Sequence, residues 1–263
     1  MEKYNISLVV FTWLTQASVG LIILRSVYMR GSSASDDKIY ITGRYILLTI
    51  FILLVIGLLF SFAHLNYPRH AYNAVNNISS SWMSREILAE IVLLFIVLAW
   101  YIITGFRIRK IPQIIPEILA GVSGIALIYL MIRTYMLPSL TELNHPAFTL
   151  SFIITPLLAG AAIIYFFLRK SEPGLAVKYK MFFSILFLFS LINHIIFRLF
   201  HHDLELFNIY NAFYLAALIT SVPSLYATLK NKNVISDVIF LNLAIICDLL
   251  NRVYALTYTN PAL

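Results

Sequence analysis

The stretch Tyr45-Ile-Leu-Leu-Thr-Ile-Phe-Ile-Leu-Leu-Val-Ile-Gly-Leu-Leu-Phe60 decides the fold class. It carries no ionisable side chain after Tyr45, and it sits inside a longer apolar run from Ile39 to Phe62. A helix that crosses the hydrocarbon core of a bilayer needs about 20 such residues. Seven further runs of this kind flank it: Ile6–Met29, Glu86–Phe106, Ile114–Met136, Phe148–Leu168, Tyr179–Phe200, Leu206–Leu229 and Val234–Tyr258. The chain therefore reads as an all-α polytopic membrane protein, a bundle of about eight transmembrane helices in one membrane domain over residues 1–263.

Composition agrees. Of the 263 residues, 60% are hydrophobic and 12% charged, with a mean hydropathy of +0.86. A soluble domain of this size carries roughly a quarter charged residues. The net charge of +7 does not point to nucleic acid, because the basic residues stand in short loops between apolar runs. The single cysteine, Cys247, excludes an internal disulfide and an iron–sulfur cluster held by this chain alone, which takes about four thiolates. The first apolar run lacks a small-residue cleavage site and is expected to remain as a helix.

Charge sets the expected orientation. Arg30 and Lys38, then Arg107, Arg109 and Lys110, then Arg169, Lys170 and Lys178, then Lys230 and Lys232 fall in alternate loops. The positive-inside rule puts those loops in the cytoplasm. Both termini and the long second loop, Ala63–Ser84, then face the other side, the periplasm if the membrane is a bacterial inner membrane. Pro68 is placed to start a short interfacial helix through Val75.

Ionisable groups inside spans are costly and are usually functional. His64, Arg85, Glu86, Glu90, Arg133, His194, Arg198, Asp248 and Arg252 all fall in the outer half of the bundle under this orientation, and Gln16 with Thr12 and Thr15 adds a polar stripe from the first helix. That bias toward one leaflet suggests a polar pocket open to the outer face. Plainer roles exist for each: Ser84 as a helix N-cap with Glu86 in the first turn, Asp248–Arg252 as an i, i+4 ion pair, Glu90 paired with Arg133 or Arg252, and Arg198 snorkelling. Arg25 and Arg44 are expected to snorkel to the cytoplasmic headgroups. Neither a metal site nor a haem is expected, since only His64 and His194 lie in spans and both stand at helix ends.

These residues also carry a family likeness. Phe62-Ala-His-Leu-Asn-Tyr-Pro68-Arg-His-Ala-Tyr-Asn-Ala-Val-Asn76, followed by Ser84-Arg-Glu-Ile87, resembles the second-loop signature of the DMSO reductase membrane anchor (DmsC) family. Phe11-Thr-Trp-Leu-Thr-Gln16, Met131-Ile-Arg-Thr-Tyr135 and Asp248-Leu-Leu-Asn-Arg252-Val-Tyr254 are similar to its first, fourth and last helices. Asn66-Tyr67 departs from the small pair before the proline, Asp248 stands for a glutamate and Asn251 for a glycine. The resemblance implies a haem-free anchor that oxidises menaquinol and passes electrons to a four-cluster iron–sulfur subunit, which feeds a molybdopterin catalytic subunit. It ties His64 and Glu86 to quinol binding. An anchor of a related polysulfide- or nitrite-type reductase is the nearest alternative. A secondary transporter or channel fits less well, because such proteins place their polar site near the midplane and often carry repeats.

Overall fold

The computed structural model describes residues 6–64, 77–106, 112–136 and 145–200, with 245, 246, 248 and 249. Among these residues helix is the only regular secondary structure, with six helices long and apolar enough to cross a membrane. They are α1 (Ile6–Gly31), α2 (Asp36–His64), α3 (Trp82–Gly105), α4 (Ile114–Tyr135), α5 (Pro146–Ser171) and α6 (Pro173–Phe200). The expected spans at 206–229 and 234–258 lie outside the described residues, apart from Ile245, Ile246, Asp248 and Leu249, which are helical. The expected interfacial helix after Pro68 also lies outside them.

Helix is the form that satisfies every backbone N–H and C=O without water. The apolar runs supply its lipid-facing surface. Phe95, Val122 and Ile125 are 64%, 63% and 61% exposed, a degree of apolar exposure that lipid tolerates and water does not. α1 is the hub. It packs against α2, α4 and α5, while α3 bridges α2 to α4 and α6 lies on α5. Its side chains accordingly make much of the core, including Val19, Leu21, Ile22 and Tyr28.

The contact between α1 and α5 depends on missing side chains. A Cβ on Gly20 would fall 1.6 Å from the Pro156 carbonyl oxygen, and one on Gly160 would fall 2.6 Å from the Gly20 carbonyl carbon. Small residues let transmembrane backbones approach this closely, and dispersion over the contact replaces the hydrophobic drive that lipid cannot supply. Pro156 sits within α5 without ending it.

One end of the bundle is tied by polar contacts. Arg30 pairs with Glu117, joining α1 to α4. Tyr28 Oη and Ser32 Oγ donate to Glu172 at 3.2 and 2.7 Å, Tyr40 Oη donates to the Thr104 carbonyl at 2.7 Å, and Thr104 Oγ1 donates to Gln113 Oε1 at 2.8 Å. The connections α1–α2, α3–α4 and α5–α6 therefore share this end, as strict up-and-down threading requires.

Two local expectations change. The N-cap of α3 is Ser81, whose side chain accepts from the Ser84 amide, so the helix starts a turn earlier than Glu86 and Ser84 is buried within it. The extra turn places Trp82 between two guanidiniums, 4.4 Å from Arg85 and 5.0 Å from Arg133. Arg25 does not snorkel: it is 3% exposed, stacks over Trp100 at 4.3 Å and donates from Nε to the Gly43 carbonyl at 3.1 Å. The cause is the position of α1, which is walled in by its neighbours and offers Arg25 no path to the headgroups. Gly43 leaves room, since a Cβ there would lie 3.3 Å from Arg25 Nη2.

Candidate functional site

Two acidic residues, Glu86 and Glu90, are buried toward the end opposite the polar ties. Glu86 and Glu90 are one turn apart on α3, on the same helix face. They are 2% and 0% exposed, within the span Trp82–Gly105. That face turns into the bundle because the other faces of α3 carry Val92 and Phe95 outward, 46% and 64% exposed.

Each carboxyl meets a hydroxyl from another helix. Thr15 Oγ1 on α1 donates to Glu90 Oε1 at 2.7 Å. Thr134 of α4 stands beside Glu86, its own hydroxyl donating to the Leu130 carbonyl at 3.0 Å. α2 contributes through what it omits: a Cβ on Gly57 would stand 3.0 Å from Thr15 Oγ1 and 3.2 Å from Glu90 Oε1. Ser61, one turn further along α2, is 1% exposed. Four helices thus converge on two acids. Glu86 Oε1, Glu90 Oε2 and Ser61 Oγ are buried with no hydrogen-bond partner among the described residues. Buried acceptors left in this state are expensive, and in a bundle interior they mark a place where a polar ligand group or a proton is at home.

The remaining residues singled out from the sequence distribute around this core. Gln16 is fully buried beside Thr15 on α1, and Thr12 lies one turn before it with its hydroxyl donating to the Val9 carbonyl. Arg85 is turned to the helix entrance, where it donates to the Ile78 and Ser79 carbonyls at 2.7 and 2.6 Å. Arg133 stacks on Trp82, so Glu90 finds Thr15 and not Arg133 as its partner. Asp248 is 6% exposed and accepts from Thr155 Oγ1 on α5 at 3.0 Å. Its carboxylate is held at α5, whereas Glu86 and Glu90 face α4 and α1. His194 is on α6, next to Asn193, which donates to the Ala147 carbonyl at 2.7 Å. α6 packs on α5, so His194 belongs to the α5–α6 side of the bundle.

His64 is the last residue of α2 and Arg198 lies in the last turn of α6, but their side chains, and Arg252 altogether, lie outside the described residues. Among the described residues no group of three or more His, Cys, Asp or Glu side chains is arranged to hold a metal ion. Gly57, Ser61, Thr134 and Thr155 were not singled out. A glycine and a serine at i, i+4 within the most apolar run of the chain were the available signal for the notch in α2.

A helical bundle with two carboxyls buried within one of its apolar spans defines a class: polytopic membrane proteins with ionisable groups in the interior, where such groups are costly. The family described as DMSO reductase anchor subunit (DmsC) matches residues 1–260, and the protein belongs to that family. Among curated proteins it is similar to the C subunit of the anaerobic dimethyl sulfoxide reductase of Haemophilus influenzae, at 30% identity over 165 residues, 62% of this sequence and 58% of that one. It is also similar to the YnfH subunit of an anaerobic dimethyl sulfoxide reductase of Escherichia coli, at 27% identity over 169 residues, 63% of this sequence and 58% of that one. The matched part is therefore less than two thirds of either relative's length. No solved structure matches the protein.

Proposed function

We propose that this chain is the membrane anchor of a DMSO-reductase-type respiratory complex and oxidises menaquinol at the Glu86–Glu90 site. The single observation that carries the reading is the pair of buried carboxyls, one turn apart in a transmembrane helix, with an acceptor oxygen of each left without a partner among the described residues.

Oxidation of a quinol to a quinone releases two protons and two electrons. The protons need acceptors within hydrogen-bond reach of the ring hydroxyls. Glu86, nearer the start of α3, is the acceptor closer to the outer face, and Glu90 lies a turn deeper. Thr15 fixes one oxygen of Glu90 and leaves the other for a ligand hydroxyl. His64, ending α2, is the second proton acceptor in this reading, because neutral imidazole takes a proton near physiological pH. Water at the outer face receives the protons. A single cysteine cannot hold an iron–sulfur cluster, so the electrons pass to an iron–sulfur subunit docked at that face and from there to a molybdopterin subunit. The terminal acceptor, whether a sulfoxide or the substrate of a related polysulfide- or nitrite-type reductase, is a property of that catalytic subunit.

The test uses the assembled complex in membranes. Glu86→Gln and Glu90→Gln should each lower quinol-dependent acceptor reduction at least tenfold, the ordinary contribution of a positioned acid–base group being about 10²–10⁴-fold. Reduction driven by an artificial dye that feeds the catalytic subunit should be unchanged. Full quinol turnover in both variants would overturn the assignment.

A further inference from the structure

At the other end of the bundle, Tyr40, Ile41, Arg44, Tyr45, Leu48 and Tyr101 line a cavity of about 370 Å³ between α2 and α3. No part of the quinol reading uses it. Among the described lining residues Arg44 is the charged one. Its guanidinium lies 5.2 Å over the Tyr101 ring, and Nη2 approaches Tyr101 Oη at 3.3 Å, so an aromatic side chain and not a carboxylate holds the cation in place. Tyr40 is fixed in turn by its hydrogen bond to the Thr104 carbonyl. On the lipid-facing rim, Ile41 and Tyr45 are 51% and 58% exposed.

Depth identifies what belongs there. Arg44 is two helical turns inside the start of α2, roughly 12 Å along its axis at 1.5 Å per residue. Tyr101 is one turn before the end of α3. The cavity therefore spans the level where phosphates and glycerol backbones give way to acyl chains, on the side whose loops carry the basic residues. Its chemistry is graded in the same sense: Ile41 and Tyr40 toward the helix start, the cation beside phenolic hydroxyls, then Leu48 one turn deeper toward the hydrocarbon. A water-soluble ligand has no use for the apolar rim, and a purely apolar one leaves the arginine unsatisfied.

We infer that this cleft is a binding site for an anionic phospholipid of that leaflet, with its phosphate on Arg44, its glycerol level beside the exposed Ile41 and Tyr45, and the first acyl segments along Leu48. The ligand is a phosphate ester; the apolar rim selects the lipid over free phosphate. Arginine suits the role because its fork offers two parallel N–H donors to phosphate oxygens.

Native mass spectrometry of the detergent-purified complex reads this directly. With equimolar phosphatidylglycerol and phosphatidylcholine added, the wild type should retain phosphatidylglycerol preferentially. Arg44→Gln should reduce the retained fraction roughly fivefold, as expected for one cation at a membrane surface. Arg44→Lys, which keeps the charge and loses the fork, should fall between the wild type and Arg44→Gln. Ile41→Trp fills the cleft from a lipid-exposed position, leaves the charge intact and should also abolish retention, which guards against a merely misfolded Arg44 variant. Equal retention of the two lipids, or unchanged phosphatidylglycerol in both Arg44→Gln and Ile41→Trp, would overturn the inference. Displacement of the lipid by inorganic phosphate alone would overturn it in favour of a free-phosphate site. Quinol turnover does not enter the readout, so the result is independent of the proposed activity.

Discussion

Thr15 makes a hydrogen bond that joins the hub helix to the deeper of the two acids. Removing one partner of a buried hydrogen bond costs roughly 1–3 kcal/mol, because the acceptor is left buried without compensation. Thr15→Val keeps the volume and removes the donor. Glu90 would then swing from its place, and quinol-dependent turnover should fall about tenfold while dye-linked reduction stays constant. Thr15→Ser should restore most of the rate, which a packing role of the methyl group would not allow. Gly57→Ala should act in the same direction but more weakly, because its methyl would press on Thr15 Oγ1 and Glu90 Oε1 from 3.0 and 3.2 Å and displace them only slightly. Wild-type turnover in Thr15→Val would remove Thr15 from the site. At this scale the sequence is only half legible. The acids announce themselves, because a carboxyl in an apolar run needs a reason. Their partners do not: hydroxyls such as Thr15 and Thr134 are common in membrane helices and usually bond their own preceding turn, as Thr134 Oγ1 does with the Leu130 carbonyl at 3.0 Å. Only the approach of α1 to α3 tells that the Thr15 hydroxyl reaches a carboxyl.

Helices α1 and α5 touch backbone to backbone, and that contact sets the shape of the hub. A methyl on Gly20 would overlap the Pro156 carbonyl at 1.6 Å, and a carbonyl in a helix cannot turn aside as a side chain can. Gly20→Ala must therefore drive the helices apart. Overpacking costs typically 1–3 kcal/mol in soluble cores, so thermal unfolding of the purified complex should show a clear loss of stability. Gly121→Ala and Gly174→Ala, where a Cβ meets nothing within 4 Å, should be neutral. A Gly20→Ala variant as stable as those two would show that the α1–α5 approach is looser than described. The helices themselves follow from the sequence because lipid leaves an apolar run no other form. Their ends follow less closely. Ser79, Ser80, Ser81 and Ser84 all offer a capping hydroxyl. Ser81 takes the role because the turn it opens gives Trp82 its place between Arg85 and Arg133, a tertiary gain that no local pattern reveals. The burial of Arg25 was hidden for the same reason: a run of apolar residues does not say which helix is the hub and which faces the bilayer.

At the scale of the bundle, the threading of the six described helices follows from contacts that tie the first, third and fifth connections to one end, with Glu86 and Glu90 toward the other. Which end faces the cytoplasm is a matter of charge. The connections at the tied end carry Arg30 and Lys38, Arg107, Arg109 and Lys110, and Arg169 and Lys170, whereas the long connection at the other end carries Arg69 with Arg85 just beyond it. Short basic loops resist translocation, so the tied end should stay inside and the Glu86–Glu90 site should lie in the outer half of the membrane. The protein has one cysteine, Cys247, which makes the test simple. In a Cys247→Ser background, Ser33→Cys and Gly174→Cys place a thiol at exposed positions of the tied end, and Ser80→Cys places one at the opposite end. A membrane-impermeant maleimide applied to intact spheroplasts should label Ser80→Cys alone, and the other two should react only after the membrane is opened. The reverse pattern would place the carboxyls in the inner half, where protons released from a quinol would return to the cytoplasm, and an iron–sulfur partner on the outer face would be separated from the site by most of the bilayer. A hydrocarbon core about 30 Å thick makes that separation too great for the electrons to pass directly, so the labelling pattern decides between a one-sided outer reaction and a different partner arrangement.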